Sequence, residues 1–164
     1  MLNGGFAAWQ AAGFALETEI PTTTATGNFT RKTALTGVVE KQDVLDANHC
    51  LVDAREAERY RGEHEPIDKV AGHIPGALNA PFMDNVNADG TFKDIAALQK
   101  RFDFIRSKAE DKKIVHYCGS GVTAAHNMLA MVVAERDPGL LYAGSFSEWI
   151  SRSDEQFPVA TLVD

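Results

Sequence analysis

The sequence is poor in cysteine and lacks any residue pattern typical of a metal site. Its 164 residues include two cysteines, Cys50 and Cys118, and no CxxC pair, so a disulfide-rich scaffold is excluded. The five histidines show no spacing typical of zinc ligands. His116 and Cys118 share one face of a predicted strand, but two ligands do not make a site. We therefore expect no bound metal.

An excess of positive charge and a long apolar run are also missing. The chain has 16 Lys and Arg against 23 Asp and Glu, a formal net charge of −7, whereas nucleic-acid binding needs a basic face. No segment approaches the roughly 20 apolar residues of a membrane span. Residues 1–16 are mainly apolar, but no basic residue precedes them and Trp9 and Gln10 interrupt them, unlike a signal peptide. We expect a cytoplasmic protein that binds neither nucleic acid nor membrane.

The composition is that of a folded domain, and the sequence contains a short motif that occurs twice, at residues 2–9 and 142–149, which we call the echo. Hydrophobic residues make up 45% and charged residues 24% of the chain, as in a globular domain. LNGGFAAW at residues 2–9 resembles YAGSFSEW at residues 142–149, since both read Gly, small, Phe, two residues, Trp. EIPTTTATGNFT at residues 19–30 lacks periodicity and is typical of a linker. Either the echo is chance, or residues 1–30 hold the tail of a preceding copy of the domain plus a linker.

Apolar runs and amphipathic segments alternate along residues 31–164. Apolar runs typical of strands occur at residues 50–52, 114–117 and 140–142, a short strand is expected at 77–79 after a turn, and residues 36–39 form either a short strand or a turn. Helical patterns lie at residues 41–47, 57–61, 95–105, 122–135 and from 146 onward, with Asp94 as a helix N-cap. This order predicts an α/β fold with a mostly parallel sheet, in which ligands bind at the carboxyl ends of strands. Asp53 and Cys118 are expected at two such ends.

Cys118 stands at the head of a short loop that contains two glycines, in the sequence KKIVHYCGSGVTAAH. Gly119 and Gly121 allow a tight turn whose N–H groups point inward as a nest for an anion. The helix predicted from Val122 adds its positive end. Both features stabilise a negatively charged sulfur, so we predict that Cys118 is a nucleophile. Cys50 lies in an apolar strand without glycines and is predicted to fill the core.

The residues alone leave three reaction classes to weigh. A cysteine phosphatase requires an Arg in the loop to clamp phosphate, and residues 119–125 contain none, which disfavours this class. A Cys-His hydrolase would use His73, but nothing in the sequence pairs His73 with Cys118, and we predict a structural role for this histidine. A third class, sulfur transfer through a cysteine persulfide, is the one that a family resemblance implies.

Four motifs resemble those of the rhodanese family and occur in the family order, over most of residues 33–150. CGSGVT (118–123) resembles its active-site loop, of the Gly-Ser-Gly type found in 3-mercaptopyruvate sulfurtransferases; the other three are LVDAREAERYRG (51–62), GHIPGALN (72–79) and YAGSFSEW (142–149). The resemblance implies a rhodanese-like domain with helices on both faces of the sheet. It also implies that residues 31–164 form the catalytic C-terminal half of a tandem sulfurtransferase, and that the echo is the tail of a preceding, inactive domain.

The resemblance implies a role for each residue of the candidate site. The Cys118 thiolate takes a sulfane sulfur from 3-mercaptopyruvate or thiosulfate and passes it to a thiol, a thioredoxin-like dithiol or cyanide, without a metal or organic cofactor. Ser120 assists proton transfer, and Arg59 binds the carboxylate or sulfonate of the donor. The loop that binds the persulfide comprises Gly119, Gly121, Val122 and Thr123. The alternative is a module that relays or binds sulfur without turnover, but non-catalytic copies usually lose the cysteine that this chain keeps.

Two features depart from the family pattern. Mercaptopyruvate enzymes usually carry a second Arg after a Glu-Pro pair, and here Glu65-Pro66 is followed by Ile67. One guanidinium for the donor carboxylate is therefore expected to be missing. The family's cleft also lies between two domains, so we expect the chain to fold but, without its preceding domain, to turn over slowly. Asp53 and Arg55 are expected to be structural.

Overall fold

The computed structural model describes residues 2–20, 22, 26–34, 36–151 and 156–162. These residues form five strands: β1 (Gly37–Val39), β2 (His49–Asp53), β3 (Leu78–Asn79), β4 (Lys113–Tyr117) and β5 (Leu140–Tyr142). They also form five α-helices: α1 (Gly5–Ala11), α2 (Ala57–Arg61), α3 (Ile95–Ala109), α4 (Val122–Val133) and α5 (Ser145–Trp149). Strands and helices alternate from β2 onward, which confirms the predicted α/β class.

The helix predicted at residues 41–47 is only a single 3-10 turn, Asp43–Leu45. Two carboxylates, one on the first residue of the turn and one directly after its last residue, bind nearby backbone. Asp43 accepts a hydrogen bond from the N–H of Glu40, and Asp46 accepts one from the N–H of Asn48, each at 2.9 Å. Such local bonds give the backbone an alternative to the helical pattern, so the turn does not extend into an α-helix.

The sheet has the strand order β1-β5-β4-β2-β3, and every pairing between the described strands is parallel. β2 and β4 form its centre and stay in register from His49 opposite Lys113 to Asp53 opposite Tyr117. Their interior residues are buried, which accounts for their continuous apolar sequence. The carboxyl ends of these two strands therefore meet at one edge of the sheet, as predicted.

Helices cover both faces of the sheet, as the family resemblance implied. On one face, α3 and α4 pack against the central strands in an apolar cluster that includes Cys50. α3 begins after Asp94, whose carboxylate accepts a hydrogen bond from the N–H of Ala97 at 2.8 Å, so the predicted N-cap is confirmed. On the other face, Phe146 and Trp149 of α5 pack in a second apolar cluster.

The two copies of the echoed motif both form a helix, but only the second copy is buried. Phe146 and Trp149 of α5 are 0% and 1% exposed, whereas their counterparts in α1, Phe6 and Trp9, are 64% and 38% exposed. The assignment of residues 1–30 to a preceding domain and a linker stays a prediction. Part of that segment, residues 1, 21 and 23–25, lies outside the described structure.

Candidate active site

Cys118 follows the last residue of β4 and lines a cleft at the carboxyl edge of the sheet. The residue is buried, and the cleft has a volume of about 320 Å³. The predicted site residues that line the cleft with Cys118 are Arg59, Gly119, Ser120, Val122 and Thr123. Ser147 of α5 and Phe82, which follows β3, add to the wall. The structure therefore brings the predicted residues together, with Gly121 in the loop behind them.

Gly121 is the position where the loop requires glycine. Its φ of 83° lies in the left-handed region, and a Cβ there would stand 2.8 Å from the carbonyl oxygen of Ala143. Gly119 differs from the prediction, since its φ is not positive and a Cβ would lie 3.8 Å from the Arg59 guanidinium, an ordinary contact. One glycine of the pair thus makes the turn, and the other lies beside Arg59.

The loop leaves a row of backbone donors without protein acceptors. The N–H groups of residues 119–123 donate no hydrogen bond to any acceptor within the described ranges. α4 begins in the same place, at Val122. Unpaired N–H groups at the N-terminus of a helix carry partial positive charge and bind anions. The loop that follows Cys118 is therefore suited to hold an anion.

The start of α5 holds this loop in place, through residues for which no role was predicted. The N–H of Cys118 donates to the hydroxyl of Ser145 at 3.1 Å, and the N–H of Phe146 donates to the carbonyl of Cys118 at 3.0 Å. The N–H of Ser147 donates to the carbonyl of Gly119, also at 3.0 Å. Ser145 itself is buried with a φ of 55°. The YAGSFSEW motif therefore supports the site as well as the core.

Arg59 lines the cleft from α2, and two carboxylates hold its guanidinium. Glu65 accepts hydrogen bonds from Nε and Nη2 at 3.1 and 2.8 Å, and Asp68 accepts one from Nη2 at 3.0 Å. Asp68 also accepts a hydrogen bond from the hydroxyl of Ser147 at 2.6 Å, which joins α5 to the same network. Glu65 and Asp68 were not predicted as site residues, because nothing in their spacing shows that the segment after α2 approaches the Cys118 loop.

Glu65 is shared by two arginines. It accepts a hydrogen bond from Nη1 of Arg55 at 3.3 Å, and Arg55 in turn binds the buried Asp53 through Nη2 at 2.7 Å. Burial would raise the pKa of Glu65, but the Arg59 guanidinium and two backbone N–H groups outweigh burial and hold that pKa below its usual value. Glu65 is therefore an anion that links Arg59 to the Asp53–Arg55 pair, whose role is structural as predicted.

Ser120, Val122 and Ile67 lie at the outer rim of the cleft, and all three are exposed. The Ser120 hydroxyl makes no hydrogen bond with any residue that the structure describes. Ile67 occupies a rim position where the family resemblance leads us to expect a second arginine. The rim is therefore apolar at Ile67 and Val122, and Arg59 is the arginine that lines the described cleft.

The other candidate residues lie away from the cleft. His73 stacks on Tyr60 with 3.9 Å between ring centroids, and its Nδ1 lies 2.7 Å from the Tyr60 carbonyl oxygen, consistent with a structural role. Cys50 packs in the core, and burial raises the pKa of its thiol. The described part of the chain has no cluster of His, Cys, Asp and Glu that could hold a metal ion. Nor does any helix in those ranges have the length and apolarity needed to cross a membrane.

Comparison with known sequences gives a consistent picture. The rhodanese-like domain profile matches residues 36–152. The chain is 43% identical to a probable 3-mercaptopyruvate sulfurtransferase of Pseudomonas aeruginosa, over 98% of this chain and 57% of that protein. It is 39% identical to the 3-mercaptopyruvate sulfurtransferase of Escherichia coli (94% and 56%) and 38% identical to the putative thiosulfate sulfurtransferase SseB of Mycobacterium tuberculosis (92% and 54%). The chain thus spans about half the length of the curated relatives it matches.

Solved structures share the architecture. The wild-type structure of EanB matches with a TM-score of 0.75 at 26% identity, over 99% of this chain and 41% of that chain. An EanB structure that holds a cysteine persulfide in a tetrahedral intermediate state with ergothioneine matches over the same shares, with a TM-score of 0.74 at 25% identity. Because the family profile matches a segment that contains the whole sheet, Arg59 and the Cys118 loop, the chain belongs to the rhodanese-like domain family.

Proposed function

We propose that this chain is the catalytic domain of a sulfurtransferase, which moves a sulfane sulfur from 3-mercaptopyruvate or thiosulfate through a Cys118 persulfide to a thiol or cyanide. The observation that carries the proposal is the row of unpaired N–H groups at residues 119–123, beside a cysteine that lines a cleft. The curated relatives are named as sulfurtransferases for these two donors. An EanB structure provides an example of a cysteine persulfide on a similar fold.

The first half-reaction moves one sulfur atom of the donor onto Cys118, which is the terminal sulfur of thiosulfate or the thiol sulfur of 3-mercaptopyruvate. With thiosulfate, the thiolate attacks the sulfane sulfur, the S–S bond breaks, and sulfite leaves with the electron pair. With 3-mercaptopyruvate, the C–S bond breaks, and the carbon takes the electron pair and the proton of the donor thiol to become pyruvate. The exposed Ser120 hydroxyl lies at the cleft, where it can relay that proton. The unpaired N–H groups of the loop stabilise the anionic outer sulfur of the persulfide.

The second half-reaction regenerates the cysteine. An acceptor thiolate attacks the outer sulfur, the S–S bond breaks, and the electron pair returns to the Cys118 sulfur. The acceptor leaves as a persulfide, or as thiocyanate when the acceptor is cyanide. A small thiol or a thioredoxin-like dithiol can serve, because the reaction requires only a thiolate that reaches the cleft.

Arg59 is the cation that can hold the anionic group of the donor. Its Nη1 has no acceptor among the described residues, whereas Nε and Nη2 are held by Glu65 and Asp68. Ile67 supplies no second guanidinium. Because a hydrogen bond to a charged group contributes roughly 1.5–3 kcal/mol, Ile67→Arg is expected to lower the KM for 3-mercaptopyruvate by about tenfold or more. An unchanged KM would show that the carboxylate does not reach this rim.

A preceding rhodanese-like domain is the proposed partner of the cleft. The proposal is supported by the echo, because residues 2–9 repeat the motif that forms α5 and their aromatic side chains are exposed. Joining the preceding domain of a relative to this chain is expected to raise turnover by completing the cleft wall. Equal turnover with and without that domain would contradict this partner.

Intact-mass spectrometry tests the proposed reaction. The reduced protein is mixed separately with 3-mercaptopyruvate and with thiosulfate, and a gain of one sulfur atom is expected from at least one donor. Cys50→Ala should gain the sulfur as well, and Cys118→Ser should not. If a chain joined to a preceding domain gains no sulfur from either donor, catalysis is contradicted, and a module that relays or binds sulfur becomes the better assignment.

A further inference from the structure

The ion network beside the cleft contains one more carboxylate than guanidinium groups. Carboxylates and guanidinium groups alternate along the network. Asp53 binds Arg55 at 2.7 Å, and Arg55 binds Glu65 at 3.3 Å. Glu65 also binds Arg59 at 2.8 Å, and Arg59 binds Asp68 at 3.0 Å. Three carboxylates therefore face two guanidinium groups. The network begins at Asp53 in the core and ends at Asp68, and as a whole it carries one net negative charge.

Asp68 is the end of the network that approaches the Cys118 loop. Its side chain is buried, and Oδ2 would lie 3.9 Å from a Cβ on Gly119, the residue after Cys118. Oδ1 accepts the 2.6 Å hydrogen bond from Ser147, so the carboxylate is fixed between two residues that line the cleft, Arg59 and Ser147. Solvent and salt screen a buried charge less than an exposed one, so the charge of Asp68 acts on the cleft at close range.

Glu56 is a second carboxylate at the cleft, but its effect is expected to be smaller. It lines the cleft and is exposed, so water and ions screen its charge. The positive side of the local field comes from the N–H groups of residues 119–123 and from Nη1 of Arg59. A donor with one anionic group brings one negative charge into this field. A donor with a second negative charge is repelled more strongly by the Asp68 carboxylate.

We propose that Asp68 is a specificity-determining residue, whose buried negative charge makes the Cys118 cleft select against doubly charged donors such as thiosulfate and in favour of singly charged donors such as 3-mercaptopyruvate. The choice of donors rests on the proposed function, whereas the charge effect on Cys118 does not. Removing a unit charge that lies within about one Debye length of the reacting anion, in a partly screened site, changes the rate of reaction with that anion by about three- to tenfold.

The charge effect can be measured without sulfur transfer. Iodoacetamide and iodoacetate alkylate the same thiolate, have nearly the same size, and differ by one negative charge. The rate at which each reagent alkylates Cys118 is followed by peptide mass spectrometry. The iodoacetate-to-iodoacetamide rate ratio is then divided by the same ratio measured for 2-mercaptoethanol, which gives the normalised ratio. In Asp68→Asn, the amide oxygen can accept from Arg59 while the amide nitrogen donates to the Ser147 hydroxyl. This variant therefore keeps the network's geometry and loses its excess charge.

We expect Asp68→Asn to raise the iodoacetate-to-iodoacetamide rate ratio by about three- to tenfold. Glu63→Gln is the matched control, because it removes a carboxylate from the exposed pair that Glu63 forms with Arg61 at 2.6 Å, and it should leave the ratio unchanged. Glu56→Gln should change the ratio by less than about twofold. An unchanged ratio in Asp68→Asn, or an equal loss of both rates, overturns the proposal, because Asp68 would then only support the wall.

A measurement on the wild-type chain makes the test independent of the folding of any variant. A reagent in the open cleft interacts with Asp68 partly through solvent, so the normalised ratio in the wild-type chain should rise with salt, although less than it would for an exposed charge. A wild-type ratio that does not change with salt contradicts a negative field at Cys118.

The donors then test specificity itself. In Asp68→Asn, kcat/KM should rise by about three- to tenfold for thiosulfate and by less for 3-mercaptopyruvate. An unchanged ratio between the two donors overturns the specificity role, whatever the alkylation result. If the alkylation ratio shifts as expected but no donor transfers sulfur in any variant, the charge effect stands and the proposed function fails.

Discussion

Cys50 lies within β2, and Cys118 lies just past the end of the neighbouring parallel strand β4; both residues are buried. Cys50 is 9% exposed and Cys118 is 2% exposed, so the more buried thiol is the one to which we assign the chemistry. Cys50 lies inside β2, opposite Ile114 of β4, among apolar side chains. Cys118 lies one residue beyond β4, in the lining of a cleft. Position relative to the end of the strand therefore separates the two thiols better than exposure does.

The backbone explains why the strand end matters. Around Cys50, β2 pairs with β4 in continuous register, so the ladder uses the backbone donors and acceptors. After Cys118 the ladder stops and the left-handed Gly121 turns the chain, which leaves the N–H groups of residues 119–123 unpaired within the described ranges. Burial raises the pKa of the Cys50 thiol, and the nearby Lys112 only partly opposes that effect. A buried sulfur can carry charge only where donors stabilise it.

The largest expected difference is between the sulfur-transfer rates of two variants, one with Cys118 substituted and one with Cys50 substituted. Cys118→Ser removes the nucleophile, so thiocyanate formation from a sulfur donor and cyanide should fall to background, roughly 10³-fold or more. Cys50→Ala should keep the rate within about twofold, because its side chain packs away from the cleft. A steady-state assay with either donor measures both variants. A comparable loss in the two variants would mean that strand position does not separate the thiols.

His116 shows how burial without a charged partner changes the pKa of a titratable group. His116 of β4 is buried, its Nε2 lies 3.1 Å from the Met131 sulfur, and burial lowers its pKa from 6.5 to about 4. Below pH 6.5 the unfolded chain binds a proton that the folded chain does not, so stability falls as the pH decreases from 6.5 to 4. Each pKa unit contributes about 1.4 kcal/mol, which makes the loss about 3 kcal/mol.

His116→Leu tests this explanation. The variant cannot bind the proton in either state, so its unfolding free energy should fall by about 3 kcal/mol less than that of the wild-type chain between pH 7 and pH 4. Urea denaturation at a series of pH values gives both curves. Parallel curves for the two proteins would show that other groups, and not His116, set the acid sensitivity of the core.

Local sequence patterns were enough to predict the strand ends and the position of Cys118. An apolar run followed by Cys-Gly-Ser-Gly and a helical pattern specifies the end of a strand and a turn within a few residues of each other. The same local signal predicted the cap at Asp94, which binds an N–H three residues away. It failed at residues 41–47, where the side chains of Asp43 and Asp46 bind nearby backbone and limit the helix to one 3-10 turn.

The residues that hold the site in place could not be predicted, because they come from segments that are distant in the sequence. Ser145 meets the N–H of Cys118 from 27 residues away, and Asp68 meets Ser147 from 79 residues away. No local spacing encodes these contacts, since they depend on how α5 and the segment after α2 pack at the same edge of the sheet. The echoed motif shows the same limit, because one pattern forms a helix twice and is buried only in α5.

The two loop glycines test whether the backbone turn, rather than the cysteine alone, makes the site. Gly121→Ala places a Cβ 2.8 Å from the Ala143 carbonyl oxygen at a left-handed φ, so it should lower the unfolding free energy by about 1–2 kcal/mol. The displaced loop should also slow persulfide formation at Cys118 by roughly tenfold or more. Gly119→Ala is the matched control, and its stability should change by less than about 0.5 kcal/mol. Equal destabilisation of both variants would contradict the assignment of the turn to Gly121.

The smallest expected effect concerns the packing of Cys50. Cys50→Ala removes a buried sulfur from the cluster that joins β2 to α3 and α4, so the unfolding free energy should fall by about 1 kcal/mol. Cys50→Val fills the vacated space with a side chain slightly larger than cysteine and suits a strand, so it should recover most of that loss. Urea denaturation measures stability, and persulfide formation at Cys118 should be the same in both variants. If Cys50→Val slowed persulfide formation while it restored stability, the thiol of Cys50 would have a chemical role that its place inside the ladder argues against.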